Sequence, residues 1–252
     1  MKVIETIKNI WRIEDLRKRI LVTLLFVAIY RFGSFVVLPG IDPFALQQLQ
    51  AQTSDGLMAL LNMFSGGAFS NASIFALCIM PYISASIVVQ MLAVAVPYFQ
   101  KMQREGESGR RKINQITRVL TIAILLFQAP TYLINLKAQT AGSGAFLVGD
   151  GFGFMFASTI ILAAGSMFVL WLGERITDKG IGNGVSIIIM IGIIARMPSA
   201  IIEELTSALS GAEGGGLIWF LAEIIGLLAV MMLAIMLVKA IRKVPVQYAK
   251  RV

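Results

Sequence analysis

Few side chains in this sequence can do chemistry. Among 252 residues there is no histidine and a single cysteine, Cys78. Histidine-dependent hydrolysis, the common zinc clusters and an internal disulfide framework are thereby excluded. No Gly-Lys pair exists to open a P-loop. Gly180, Gly182 and Gly184 (GIGNG) resemble a phosphate loop only loosely, and they sit where the chain re-enters an apolar run, so a tight turn or close packing accounts for them. Cys78 lies inside an apolar run and reads as a packed thiol. No catalytic residue, metal or cofactor is expected, and the chain does not read as an enzyme. The ionisable groups that stand out are Arg31, Arg196 and Glu223, each inside a long apolar stretch. A charge at the centre of a membrane helix costs roughly 2.5–3.5 kcal/mol on insertion scales, and less near its ends. Pairing of Glu223 with Arg31 or Arg196 is one expectation; separate snorkelling of each to the interface is the other.

These groups need elements that can hold them in lipid. Hydrophobic residues make up 57% of the sequence and charged residues 14%, against roughly 25% charged in an ordinary soluble domain. A chain this apolar must meet lipid. Six runs are long enough to cross a core of about 30 Å as helices: residues 20–37, 74–94, 119–136, 152–172, 185–202 and 217–238. Pro81 predicts a kink in the second. Residues 1–19 form a basic amphipathic pattern suited to the membrane surface, with no small-residue cleavage site after it.

The Lys and Arg residues set an orientation. Of the twenty-two, nineteen fall in the N-terminal segment, the connection after the second span, the turn after the fourth and the C-terminal segment. Only Arg31, Lys137 and Arg196 lie elsewhere. Both ends are expected to be cytoplasmic, and the net charge of +8 reads as topology before it reads as a nucleic-acid groove.

One apolar segment cannot cross. Gly56 to Phe64 (GLMALLNMF) has nine residues, about 13 Å as a helix, and Ser65-Gly66-Gly67 breaks the chain after it. It either re-enters into a cavity between spans or lies on the external surface. Ile79 and Ile83 share a face of the second span at i, i+4, as do Val185 and Ile189 in the fifth. By periodicity alone these are ordinary lipid- or helix-facing residues.

Residues 67–92 (GAFSNASIFALCIMPYISASIVVQML) and 172–190 (LGERITDKGIGNGVSIIIM) closely resemble the two signature stretches of the SecY family. Residues 30–42 (YRFGSFVVLPGID), 105–112 (EGESGRRK) and 244–251 (VPVQYAKR) match further stretches in the family's order. The resemblance implies an all-α polytopic transmembrane bundle: the first five-helix half of an inverted repeat (20–202), the sixth helix and the start of a cytoplasmic loop (203–252), and a short re-entrant plug helix. Two such halves close around an hourglass pore in that family. By the same resemblance Ile79, Ile83, Val185 and Ile189 fall on an apolar pore ring, with Val185 in place of the usual isoleucine. Cys78 stands where glycine is frequent. Gly56, Leu57, Met58, Leu60, Leu61, Met63, Phe64, Gly66 and Gly67 fall on the plug. Gln90 and Gln128 lie on spans that line a lateral gate. Arg242, Lys243, Lys250 and Arg251 open a basic loop that docks a ribosome or the SecA motor.

The function implied is the central pore subunit of the Sec translocon in a bacterial cytoplasmic membrane. It would pass unfolded polypeptides across and release transmembrane segments sideways into lipid. The implied partners are SecE, SecG, SecA, a ribosome with its nascent chain, signal peptides and membrane lipid; no cofactor is implied. A secondary transporter of a small solute is the alternative. Such transporters place polar groups at the bilayer midplane, where this sequence has Ile, Val, Met and Ala.

Overall fold

The computed structural model describes residues 12–44, 46, 65–140, 145–147, 151–210 and 216–240. The amphipathic pattern up to residue 11, the short apolar segment from Gly56 to Phe64 and the loop cations Arg242, Lys243, Lys250 and Arg251 lie outside them. The chain divides into two compact units, Met1–Arg196 and Met197–Val252. The described residues are helical apart from turns and two isolated bridges, Val37 with Ser73 and Ile41 with Phe146.

The helices are α1 Glu14–Gly33, α2 Met80–Ala95, α3 Pro97–Arg104, α4 Glu107–Gln139, α5 Phe152–Lys179, α6 Gly184–Ser210 and α7 Gly216–Lys239. Helices α4 to α7 are each long and apolar enough to cross a membrane. A fifth crossing results if α2 and α3, bent by 97° at their junction, count as one broken span. The first expected span coincides with α1, whose first turns carry Glu14, Asp15, Arg17, Lys18 and Arg19. Its uncharged run extends only from Ile20 to Tyr30, which is why it falls short of the four long apolar helices.

Prolines place the boundaries of α2. The second span was expected to be helical from Ile74 and kinked at Pro81. The helix begins instead at Met80, with Pro81 in its first turn. There the missing N–H is one of the donors that lack an intrahelical partner anyway, so proline starts the helix without bending it. At the other end Val96 takes an extended conformation, φ −109° and ψ 121°, as the residue before Pro97 prefers. That single extended residue turns the chain through a right angle into α3.

Residues 65–79, where a helix was expected to begin, form a chain of turns buried within the first unit. They feed two cores. Ala72, Ala76 and Leu77 pack with Leu38, Leu125, Ala129, Tyr132, Leu133 and Leu162. Phe75, Cys78 and Ile79 pack with Tyr30, Val169, Leu172, Ile176 and Ile188. The segment is therefore a wedge between α1, α4 and α5. Three buried hydroxyls on the long helices are satisfied locally: Thr117 and Thr121 donate to the carbonyls of Ile113 and Thr117, and Thr159 donates to Met155; that of Ser166 on α5 is buried without a partner among the described residues.

The wedge approaches α5 so closely that only glycine fits. A Cβ on Gly165 would stand 2.0 Å from the Ile74 carbonyl oxygen, whereas one on Gly153, in the same helix, would meet nothing within 4 Å. Gly165→Ala should therefore destabilise the protein by about 1–3 kcal/mol through overpacking, while Gly153→Ala should be neutral or slightly stabilising. Thermal unfolding in detergent micelles compares the two directly.

Candidate functional site

The site is built on the wedge. Backbone polar groups at membrane depth have no water to bond, and each one left unsatisfied costs several kcal/mol. Residues 65–79 meet this need in three ways. Some bonds are internal: Asn71 N–H donates to Gly67 O, Ser73 N–H to Ala68 O, and Cys78 N–H to Phe75 O. Others run to the extended chain after α1: Leu38 N–H donates to Ala72 O and Ile74 N–H to Val36 O, both at 2.9 Å. Others go to side chains: Phe69 and Phe75 N–H donate to Ser65 and Ser73 Oγ within the segment, and the flanking helices supply more. Tyr132 of α4 donates to Phe69 O at 2.7 Å, Arg31 of α1 donates to Gly66 O at 3.1 Å, and the Tyr30 hydroxyl lies 3.4 Å from both Ser65 O and Cys78 Sγ. Arg31 also lies over the Phe35 ring, 5.3 Å from its centroid.

The wedge delivers Ile79 and Ile83 to one place. Ile79 is the residue before α2 and is 1% exposed. Ile83, one turn on, and Val185, at the start of α6, are half-buried against the same core. Ile189 is half-buried one turn after Val185. Three of the four residues expected at the constriction thus meet in one apolar cluster. Gln90 and Gln128 are both exposed; Gln90 donates to Ser86 Oγ of its own helix at 3.1 Å. Glu223 belongs to the second unit.

Beside this cluster opens a polar cleft of about 330 Å³, lined by Tyr82, Asn114, Thr117, Arg118, Glu174, Thr177, Asp178, Asn183 and Val185. It draws side chains from α2, α4, α5 and α6. The Arg118 Nε and Nη2 both donate to Glu174 Oε1, at 3.0 and 2.6 Å, tying α4 to α5 across it. The two side chains are 50% and 34% exposed, so the pair contributes at most about 1 kcal/mol. Its effect is to fix geometry. Val185 belongs to both cleft and cluster, so polar mouth and apolar floor are continuous.

The family model for SecY matches residues 73–252. The chain belongs to the SecY family. Among relatives it is 43% identical to the protein translocase subunit SecY of Rickettsia conorii over 237 residues, 94% of this chain and 54% of that protein. It is 42% identical to the Escherichia coli K12 subunit over the same length, 53% of that protein. The chain thus spans about half the length of the curated relatives it matches. Its fold is similar to that of Sec61 in the canine ribosome-channel complex from the endoplasmic reticulum, with a TM-score of 0.56 at 18% identity over 91% of this chain and 49% of that one. Membership agrees with the helical, multi-pass membrane architecture.

Several residues of the site were not singled out from the sequence: Tyr30, Tyr132, Arg118, Glu174 and the polar groups lining the cleft. A tyrosine inside an apolar run is a usable signal, because its hydroxyl must find a partner when buried. The Arg118–Glu174 pair has no such signal, since its members are 56 residues apart. Removing the Tyr132 hydroxyl leaves Phe69 O without that donor. Tyr132→Phe is expected to cost about 1–3 kcal/mol, and Tyr98→Phe, at an exposed position, close to nothing, as measured by denaturant unfolding in detergent.

Proposed function

We propose that this chain forms one wall of a protein-conducting membrane channel, as part of the central subunit of a Sec translocon. The observation that carries the reading is the convergence of Ile79, Ile83 and Val185 in one apolar cluster next to a polar cleft. Branched apolar side chains seal against ions by dewetting and by fitting around whatever passes. They offer a passing chain no hydrogen bonds and so favour no particular sequence. A solute transporter needs the opposite arrangement, polar ligands converging at mid-depth, whereas the side chains that converge here are Ile79, Ile83 and Val185.

On this reading Ile83, Val185 and Ile189 form the face of half a ring that a second five-helix half completes, with Ile79, buried against Tyr30 and Val169, packed at its base. Residues 20–202 are the first half, and residues 203–252 lead through the sixth span into the next loop. Gly56 to Gly67 closes the pore from outside as a plug. Gln90 and Gln128, exposed on neighbouring spans, border a lateral exit through which signal peptides and transmembrane segments reach lipid. SecE and SecG complete the complex. Arg242, Lys243, Lys250 and Arg251 meet SecA or the polyanionic ribosome surface, where basic side chains suit phosphates. The membrane is the bacterial cytoplasmic membrane, with residues 1–19 and 239–252 on the cytoplasmic side, following the distribution of Lys and Arg.

A photo-crosslinking residue at Ile83 tests the reading. In the intact membrane-embedded protein it should crosslink to a stalled secretory chain and not to a cytosolic control chain. Absence of crosslinks while translocation runs, with the probe shown to be photoactive, would remove Ile83 from the path.

A further inference from the structure

The turn between α5 and α6 carries the GIGNG sequence, and its attachment to α1 is not explained by the helices it joins. Ile181 N–H donates to Thr23 Oγ1 at 3.1 Å, and Arg19 Nη1 donates to Gly180 O at 3.4 Å. Thr23 Oγ1 in turn donates to Arg19 O at 2.9 Å, so the hydroxyl's donor and acceptor are both used. The approach is tight: a Cβ on Gly180 would stand 2.4 Å from Thr23 Oγ1. Three residues separate Ile181 from Val185.

A second set of contacts ties the same turn to α5. Gly184 N–H donates to Thr177 Oγ1 at 2.8 Å, and a Cβ on Gly184 would stand 1.9 Å from the Gly173 carbonyl oxygen. These contacts fix Val185 relative to α5. The wedge meets α5 separately, where the Ile74 carbonyl lies against Gly165, so α5 gives one link between Val185 and the segment that carries Ile79 and Ile83, and α1 gives a second. The wedge is bonded to the far end of α1, through Tyr30 and Arg31. Helix α1 is thus bonded at its middle, through Thr23, to the turn that leads into Val185, and near its C-terminal end to the segment that carries Ile79 and Ile83.

We propose that Thr23, assisted by Arg19, is a positioning residue for the constriction: its hydroxyl sets the separation of Val185 from Ile83 by fastening the α5–α6 turn to α1. The functional consequence rests on the channel reading above; the positioning does not. Arg19 is also paired with Asp15 at 3.3 Å, so its hold on Gly180 is shared, and Thr23 carries the specific contact.

The test measures the distance between spin labels at Ile83 and Val185 by pulsed paramagnetic resonance, in the intact membrane-embedded protein. Thr23→Val keeps the shape and removes the hydroxyl. It is expected to raise the displaced population about five-fold, the factor for losing one hydrogen bond of ~1 kcal/mol. Thr23→Ser should restore the wild-type distribution. Gly180→Ala, whose Cβ would press on both Thr23 Oγ1 and the Ile176 carbonyl, should broaden the same distance. An unchanged distribution in Thr23→Val and Gly180→Ala, or a Thr23→Ser distribution as broad as that of Thr23→Val, would overturn the proposal, whatever happens to thermal stability. Ion leak through the same variants is read in parallel. A displaced distance without added leak upholds the positioning and counts against the channel reading alone.

Discussion

The constraint on which this structure turns is the satisfaction of backbone hydrogen bonds in a segment that is neither helix nor sheet. Residues 65–79 are buried inside a membrane protein, and lipid offers their N–H and C=O groups nothing. The penalty for each orphan is several kcal/mol, while net protein stabilities are about 5–15 kcal/mol; a few orphans would be decisive. The protein meets the need with the segment's own turns, with the extended chain from Val36 to Leu38, and with Tyr30, Arg31 and Tyr132. Apolar burial contributes less than it would in water, because lipid tails are as apolar as Leu and helix association rests on packing and hydrogen bonds. Small residues follow from that. Ala68 and Ala72 are fully buried, and Gly165 lets α5 touch the Ile74 carbonyl.

An irregular segment here does what a helix could not. A straight helix would present its apolar residues along one stripe with a period of 3.6. The turns instead send Ala72, Ala76 and Leu77 to one core and Phe75, Cys78 and Ile79 to the other, and they end with Ile79 beside Val185. The cost is local strain. Ala72 and Cys78 hold φ of 45° and 48°, a left-handed conformation that disfavours side chains by roughly 1–2 kcal/mol each. A glycine would fit that backbone without penalty, and the buried cysteine accepts the strain while lying against the Tyr30 hydroxyl.

Much of this was legible in the residues. Composition required a membrane protein, and the later four spans were placed to within a few residues except where helices run on past the lipid. Helix α4 has 33 residues, about 50 Å against a core of about 30 Å; the excess is its charged first turns. The start of the second span was misjudged because a continuous apolar run looks the same whether it is a buried helix or a buried chain of turns. The correcting signals were present in Ser65-Gly66-Gly67 and in Pro81, which belongs in a first helical turn as readily as at a kink. The meeting of Ile79, Ile83 and Val185 in one cluster was legible only through family resemblance, since nothing in their spacing distinguishes them from other apolar positions. The cleft and the Thr23 contact were not legible at all: both depend on residues more than fifty positions apart meeting in space.

Amide hydrogen exchange of the protein in lipid tests the central claim most directly. If residues 65–79 are a packed, hydrogen-bonded wedge, the amides of Ser73, Ile74 and Cys78 will exchange as slowly as those in the middle of α5, such as Leu162 and Val169. Exchange of those three amides on the timescale of an exposed loop, with the α5 amides still protected, would contradict the account.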